Sequence, residues 1–284
     1  MKTPKRLQPL IEDGIIDEVL SQLMSGKEAT VYIVACGSEL RCAKVYKEAA
    51  QRSFKKAVQY REGRKVRNSR RARAMEKGSK FGRKQEEEIW QSAEVDALYK
   101  LANAGVRVPK PYGCFSGVLI MEIITDGEGY VAPRLNDVEF SPEQARIDHA
   151  MVIQEIIRML CAGIIHGDLS EFNVLVDQEG PVIIDLPQAV NAAGNNNARS
   201  MLERDVRNMT NYYGRFAPDL KKGHYAKEIW KLFEKGELTP DTKLTGSLKP
   251  ETRPANVDSV MLEIKAALKE QEELLQRKRQ GGES

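Results

Sequence analysis

The chain has 284 residues, 41% of them apolar, and a formal net charge of +3. This apolar fraction is sufficient for a hydrophobic core, but no apolar run approaches the roughly 18 residues that a membrane-spanning helix needs. The first six residues lack the apolar stretch of a secretory signal. Four scattered cysteines without a Cys-x-x-Cys pair argue against a disulfide framework. We therefore expect a cytoplasmic protein with no membrane partner.

The first elements in chain order are predicted to be a helix and a hairpin. Ile15, Val19 and Leu23 recur at every fourth position, which predicts a helix from Leu7 to Leu23 and an N-terminal helical segment over residues 1–24. Two strands are predicted next, over 30–34 and 40–46, with a turn at Gly37-Ser38 between them.

A strongly basic segment follows the second strand. Between Arg52 and Lys84 there are fourteen Lys and Arg residues against only Glu62 and Glu76. A segment with this charge and few large apolar residues is not expected to pack into a core. Its charge suits contacts with RNA or a ribosomal particle, but such runs are often solvated loops, and both interpretations stay open.

The rest of the chain is predicted to be mostly helical. The further elements are a helix over 86–104, a strand over 118–124, a helix that begins at Ser141-Pro142-Glu143, a hairpin of strands over 174–176 and 182–184, and helices over 198–213 and 257–276. This order predicts an α+β fold with two lobes. The expected segments are a β-rich N-lobe over 25–124 with the flexible basic insert 52–84, a small helical C-lobe over 125–250, and an amphipathic helix with a basic tail over 251–284.

One motif carries the chemistry. Residues 166–173 read His-Gly-Asp-Leu-Ser-Glu-Phe-Asn, and Asp185 ends an apolar run twelve residues after Asn173. Phosphoryl transfer from a metal-bound nucleotide needs one carboxylate, here Asp168, to orient or deprotonate the acceptor. It also needs an amide oxygen and a second carboxylate, here Asn173 and Asp185, to hold Mg²⁺. The sequence therefore predicts catalytic Asp168 and metal-binding Asn173 and Asp185, with ATP and Mg²⁺ or Mn²⁺ as cofactors.

A lysine and a glutamate extend this site. Lys44 lies in a strand of the Val-Ala-Ile-Lys type, in which a lysine contacts nucleotide phosphates. Burying an unpaired charge is costly, and Glu94 lies on the apolar stripe of its helix, where an acid is otherwise out of place. We therefore expect Lys44 and Glu94 to form an ion pair at the nucleotide site.

A short loop precedes the first strand at the position of a phosphate-binding loop. It reads Ser25-Gly26-Lys27-Glu28-Ala29 and has one glycine rather than three. Its backbone N–H groups, the Ser25 hydroxyl and Lys27 are candidates to bind phosphate oxygens. It is not a Walker A loop, because Glu28 stands where a Ser or Thr would bind Mg²⁺.

Together these residues resemble the RIO kinases, which are atypical relatives of eukaryotic-type protein kinases. The resemblance covers roughly residues 10–250 and looks like the branch without a winged-helix module. The segments that carry it are 25–29, Lys44, 166–173, 184–185, Ala132-Pro133-Arg134-Leu135 and residues 202–208.

The resemblance implies further roles for residues of this chain. Met121, Glu122 and Ile124 would belong to the hinge, with backbone groups of Glu122 and Ile124 facing adenine. Asp185 would bind the metal and could also accept the γ-phosphoryl group, which implies ATPase activity beside serine/threonine kinase activity. The substrate would be the protein itself or an unidentified protein.

Departures from ordinary protein kinases narrow this expectation. Gly167 stands where those enzymes have an Arg that pairs with a phosphorylated activation loop. Leu186-Pro187 follows Asp185 in place of Phe-Gly, and only about a dozen residues separate Asp185 from the next predicted helix. We therefore expect autophosphorylation, one dedicated partner or an ATP-driven cycle rather than efficient phosphorylation of many peptides.

Two other functions remain open on the sequence alone. Small-molecule phosphotransferases of the aminoglycoside and choline type share the His-Gly-Asp motif, but the small predicted C-lobe leaves little room for an acceptor pocket. A non-catalytic RNA- or ribosome-binding assembly factor with ATP as a switch would use the basic segment. The intact set of Lys44, Asp168, Asn173 and Asp185 argues against a protein without catalysis.

Overall fold

The computed structural model of the protein describes residues 3–26, 28–47 and 93–247. The predictions for the basic segment 52–84, for Lys27 and for the C-terminal segment 251–284 lie outside these residues. The described part belongs to a compact unit that ends at Ser247. No helix in this part of the chain is long and apolar enough to cross a membrane.

The first half of the described chain forms an antiparallel sheet of five strands, in the order β1-β2-β3-β5-β4. The strands are β1 (Glu18–Ser25), β2 (Ala29–Cys36), β3 (Glu39–Tyr46), β4 (Pro111–Phe115) and β5 (Val118–Glu122). The tight turn between β2 and β3 contains Gly37 at φ 61°, a backbone conformation that glycine adopts without strain. The predicted hairpin and the strand from Val118 are thereby confirmed.

The alternation of side chains along β3 decides which residues face the interior of the protein. Successive residues of a strand point to opposite faces of the sheet. Ala43 and Val45 pack in a cluster with Leu10 of the short helix α1 (Gln8–Glu12). Tyr46 belongs to the other core cluster, together with residues of the helix α2 over 93–103. Lys44 therefore lies on the face of the sheet that is turned towards α2.

The predicted helix from Leu7 to Leu23, and with it the helical segment 1–24, is wrong. Helix α1 has only five residues, and Gly14 follows it at φ 68°. The chain then enters β1, which pairs with β2 along its length. Val19 and Leu23 of the four-residue repeat both lie in β1, and Ile15 lies between α1 and this strand. Leu23 is exposed in the strand rather than buried on a helix.

Strand β4 was not predicted from the sequence, and it begins with a proline. Proline lacks the N–H that a central strand needs, but an edge strand tolerates it, particularly at its first residue. β4 begins at Pro111 and is the outermost strand of the sheet. The predicted helix over 86–104 is helical over its described residues, 93–103.

The second half is mainly helical and contains two small two-stranded sheets. Its elements are α3 (Pro142–Cys161), β6 (Ile164–Ile165), β7 (Val174–Asp177), β8 (Gly180–Ile183), β9 (Val190–Asn191), α4 (Ala198–Tyr213) and α5 (Tyr225–Glu234). Ser141 caps α3 by accepting a hydrogen bond of 3.1 Å from the Gln144 N–H. Helices α3 and α4 and the β7–β8 hairpin confirm the sequence prediction, whereas α5 and the β6–β9 pair were not predicted.

The two halves together have the expected α+β architecture. Residues of α2 and β5 share one buried cluster with α3 and α4, which joins the sheet to the helical half. The α4 stripe predicted from the sequence is buried along its length. Its members are Ala198, Leu202, Val206, Met209 and Tyr213. The β7–β8 hairpin and the 166–173 loop are thus held between the sheet and the helices.

Candidate active site

A chain of three charged side chains joins the sheet to the rest of the site. The Lys44 ammonium lies 2.6 Å from Glu94 Oε1 and 2.7 Å from Asp185 Oδ1. Burial lowers the pKa of Lys44, but Asp185 and Glu94 outweigh it, so the pKa of the ammonium is raised overall. Glu94 is buried, whereas the Asp185 side chain is 44% exposed. The expected ion pair forms, and Lys44 holds Asp185 as well.

Asp205 of α4 holds the backbone of the 166–173 loop. Its two carboxylate oxygens accept hydrogen bonds of 2.7 Å from the Gly167 N–H and 3.1 Å from the Leu169 N–H. Burial raises the pKa of Asp205 to about 6. Asp168 lies between the two tethered residues and is exposed. The loop therefore exposes Asp168 to solvent, while hydrogen bonds to Asp205 fix the two residues beside it.

The backbone at position 167 explains the departure from ordinary protein kinases. Gly167 has φ 81°, in the left-handed region that L-residues with a side chain avoid. An Arg at this position would be strained in the present backbone. The loop therefore uses glycine to bring its N–H onto Asp205.

His166 connects this loop with the segment that carries Asp185. Its Nε2 lies 3.1 Å from the Ile184 carbonyl oxygen, and its Nδ1 lies 3.3 Å from the Asp168 N–H. A carbonyl only accepts and an N–H only donates, so this geometry requires a neutral imidazole with its proton on Nε2. His166 is buried, and its two ring nitrogens link the backbone at Asp168 to the residue before Asp185.

Asn173 and Asp185 have the features of metal ligands. The side-chain amide nitrogen of Asn173 donates to the backbone carbonyl oxygen of Asp168 at 2.9 Å, and the backbone carbonyl of Asn173 accepts from the Ile184 N–H at 3.0 Å. The side-chain oxygen of Asn173 is therefore left as a ligand. Asp185 has φ 65°, a strained conformation that often marks functional residues. An amide oxygen and a carboxylate oxygen suit a hard divalent cation.

These side chains share one cavity of about 610 Å³. Eight of the predicted site residues line it. They are Gly26, Lys44, Met121, Glu122, Ile124, Asp168, Asn173 and Asp185. The structure therefore brings together residues that lie more than 100 positions apart in the sequence.

Two predicted residues lie outside the lining of this cavity. Glu94 contacts it only through Lys44. The Ser25 hydroxyl lies 3.3 Å from Thr30 Oγ1 and 3.1 Å from the Lys47 ammonium. The same ammonium donates to the Gly26 carbonyl oxygen at 2.6 Å. Ser25 is thus part of the anchor that holds the loop to the end of β3, rather than a side chain that faces the cavity.

The hinge has backbone groups that are already used and one that is available. The Glu122 N–H donates to the Lys110 carbonyl at 2.8 Å, and the Ile124 carbonyl accepts from the Ala132 N–H at 2.9 Å. Within the described residues the Ile124 N–H has no hydrogen-bond partner. This N–H of the predicted hinge is therefore free to donate to a bound heterocycle.

The charge of the cavity suits a metal-bound anion rather than a free one. Its described lining contains five carboxylates and only two cations. The carboxylates are Glu28, Glu122, Asp137, Asp168 and Asp185, and the cations are Lys44 and Arg134. No group of three His, Cys, Asp or Glu side chains forms a metal site among the described residues. Asn173, Asp185 and ligand oxygens together would complete such a site.

Asp205 and Arg134 were assigned no role from the sequence, although both lie in segments that carry the family resemblance. Asp205 was recognisable, because it is an acidic residue on the apolar stripe of α4, three positions after Leu202. Glu94 shows the same pattern on α2. Arg134 gave none, since only the folded chain brings it to the cavity.

Comparison with known proteins agrees with this geometry. Residues 30–226 match the RIO domain. The chain is 35% identical to the RIO-type serine/threonine-protein kinase Rio1 of Haloferax volcanii over 215 residues, which are 74% of this chain and 68% of that protein. It is 32% identical over 216 residues to the human serine/threonine-protein kinase RIO1, and these are 75% of this chain but 36% of the relative. The match to the Chaetomium thermophilum RIO1 kinase is 29% over 224 residues and covers 42% of that protein. The chain therefore belongs to the RIO kinase family.

Proposed function

We propose that this chain is a RIO-type serine/threonine kinase that uses Mg²⁺-bound ATP and phosphorylates itself or one dedicated protein. The observation that carries the proposal is the convergence of Lys44, Asp168, Asn173 and Asp185 on one cavity. Phosphoryl transfer is catalysed chiefly by positioning and by electrostatic stabilisation. The rigid links among these four residues supply that positioning.

Each side chain has a role that follows from its contacts. Lys44, held by Glu94, contacts phosphate oxygens and orients Asp185. Asn173 and Asp185 would hold the divalent cation, which would neutralise negative charge on the phosphates. Asp168, exposed on its tethered loop, would orient the hydroxyl of the acceptor and take its proton. The Ile124 N–H would bind the adenine ring.

One observation favours a second reaction, in which Asp185 itself accepts the phosphoryl group. Its Oδ1 is held by Lys44, while its Oδ2 has no hydrogen-bond partner within the described residues. Oδ2 is therefore a candidate nucleophile for the γ-phosphoryl group of ATP, with ADP as the leaving group. Hydrolysis of the resulting aspartyl phosphate would make the chain an ATPase.

A test of the proposal uses ATP labelled in its γ-phosphate. Wild type, Asp168→Asn and Asp185→Asn are incubated with Mg²⁺ and labelled ATP, and Asp219→Asn is the control because Asp219 pairs with Arg146 on the surface. We expect wild type and Asp219→Asn to become labelled and both site variants to lose most of the label. Undiminished labelling of both site variants would refute the site.

The chemistry of the label distinguishes the two routes. Acid-stable label on serine supports the kinase route, and label released by hydroxylamine supports an aspartyl phosphate. Turnover of a small alcohol such as an aminoglycoside would instead favour the small-molecule phosphotransferases.

Contact with RNA or a ribosomal particle remains a prediction for segment 52–84. A binding assay that compares wild type with Asp168→Asn would show whether it is separable from catalysis.

A further inference from the structure

Among the described residues, the lining of the nucleotide cavity carries more negative than positive charge. Lys44 is already shared between Glu94 and Asp185, so its charge is largely neutralised before any ligand binds. A nucleoside triphosphate brings further negative charge into a space lined by five carboxylates. A metal ion would offset part of this charge, and a cationic side chain near the phosphates would offset more of it.

Arg134 is the described cavity cation that is not paired with a carboxylate. No ion pair joins it to any acidic residue within residues 3–26, 28–47 and 93–247. Its guanidinium instead lies with Nη2 against the Met24 sulfur in β1. A thioether is a weak acceptor, so a phosphate oxygen would replace this contact with a net gain.

The backbone around Arg134 is firmly held. The Pro133 carbonyl accepts from the Val176 N–H at 2.9 Å, and the Arg134 carbonyl accepts from the Asp137 N–H at 2.9 Å. Arg134 also forms a bridge with Leu175 of β7. The Arg134 side chain therefore extends from a fixed backbone position beside β7 to Met24 in β1.

Arg134 and Asp185 lie far apart in the sequence but line the same cavity. Arg134 therefore borders the space in which the phosphates are expected.

We propose that Arg134 binds the terminal phosphate of the nucleoside triphosphate and gives up its contact with Met24 when it does so. The inference rests on the proposed function, because it assumes that the cavity binds ATP. The planar guanidinium donates two parallel hydrogen bonds to a phosphate, which a lysine does not match. The charge of Lys44 is largely neutralised by its two carboxylates, so Arg134 supplies additional positive charge. It also stabilises negative charge on the phosphoryl group during transfer.

The test compares ligands that differ only in their phosphates. The affinities of wild type, Arg134→Met and Arg134→Lys for ATP, ADP and adenosine are measured by calorimetry in Mg²⁺. Arg199→Met is the matched control, since Arg199 is an exposed arginine whose partner is Glu203 at 3.0 Å. Thermal unfolding without nucleotide verifies that each variant is folded.

We expect Arg134→Met to weaken ATP binding by about tenfold to a hundredfold, the range for loss of a charge-assisted hydrogen bond. ADP and adenosine should change by less than about twofold, and Arg134→Lys should lie between wild type and Arg134→Met. The assignment is overturned if ATP, ADP and adenosine weaken equally or if none changes. If wild type itself fails to bind ATP, the proposed function fails and not only the role of Arg134.

Discussion

Replacement of Asp205 by Asn tests how the 166–173 loop is held in position. The carboxylate accepts from both Gly167 and Leu169, whereas an Asn amide offers only one acceptor oxygen. Its NH₂ group would face an N–H, so one hydrogen bond is lost and a buried donor remains unpaired. Asp168 lies between the two tethered residues, and its position should shift as a result.

The size of the effect differs for activity and for stability. An unsatisfied buried donor costs about 1–3 kcal/mol, and a loss of that size in the transition state lowers the rate by about fivefold to 150-fold. Stability has an opposing contribution, because burial raises the pKa of Asp205 from 3.8 to about 6. A shift of about two units means that the ionised carboxylate destabilises the fold by up to about 3 kcal/mol above pH 6.

The pH dependence of stability follows from this shift. Between pH 4 and 6 the folded state binds more protons at Asp205 than the unfolded state, so its contribution to stability decreases as the pH rises through this range. Wild type should therefore gain stability relative to Asp205→Asn as the pH falls from about 6 to 4.

The assays are the rate of labelled phosphate transfer at pH 7.5 and urea unfolding across pH 4–7. Asp219→Asn, which removes an exposed carboxylate, should leave both nearly unchanged. Full transfer activity in Asp205→Asn, or a stability difference that moves in the opposite direction with pH, would refute the reasoning.

Three further predictions concern single residues. Gly167→Ala should retain its circular dichroism but lose most transfer activity, because its φ of 81° strains an L-residue by about 1–2 kcal/mol; wild-type activity would contradict this. Glu94→Gln should raise the KM for ATP and lower the melting temperature, since Lys44 loses a charged partner in a buried pair; unchanged values would mean that the pair is dispensable. Burial lowers the pKa of His149 from 6.5 to about 4, so stability should fall by about 2 kcal/mol between pH 7 and 5, where only the unfolded state gains a proton. His149→Gln should unfold in urea with a weaker pH dependence, and the same slope as wild type would exclude His149 as the cause.

Two kinds of site residue could be predicted from the sequence: charged residues within an otherwise apolar pattern, and residues of a short motif. Glu94 is an acid on an apolar helix face, and Lys44 is a cation within an apolar strand, so each indicated a partner. Asp168 and Asn173 lie in one short loop whose spacing already suggests phosphoryl transfer. These signals need no knowledge of distant contacts.

The rest depends on contacts between segments that are far apart in the sequence. Ser25 was expected to face phosphate, but Lys47 at the end of β3 holds its hydroxyl, and no local pattern reveals that pairing. Strand β1 was assigned to a helix because Ile15, Val19 and Leu23 recur at every fourth position, although the helical segment ends before Gly14. Strand β4 was missed because Pro111 is tolerated only by its position at the sheet edge, which is a property of the assembled sheet.

The most direct test of the central claim, that this cavity is a metal–nucleotide site, is the affinity for ATP with Mg²⁺ and with a chelator. We predict that wild type binds ATP in Mg²⁺, that the affinity falls by at least about tenfold without metal, and that Asn173→Ala loses most of this metal dependence. Equal binding with and without Mg²⁺, or a metal dependence that Asn173→Ala leaves intact, would contradict the account.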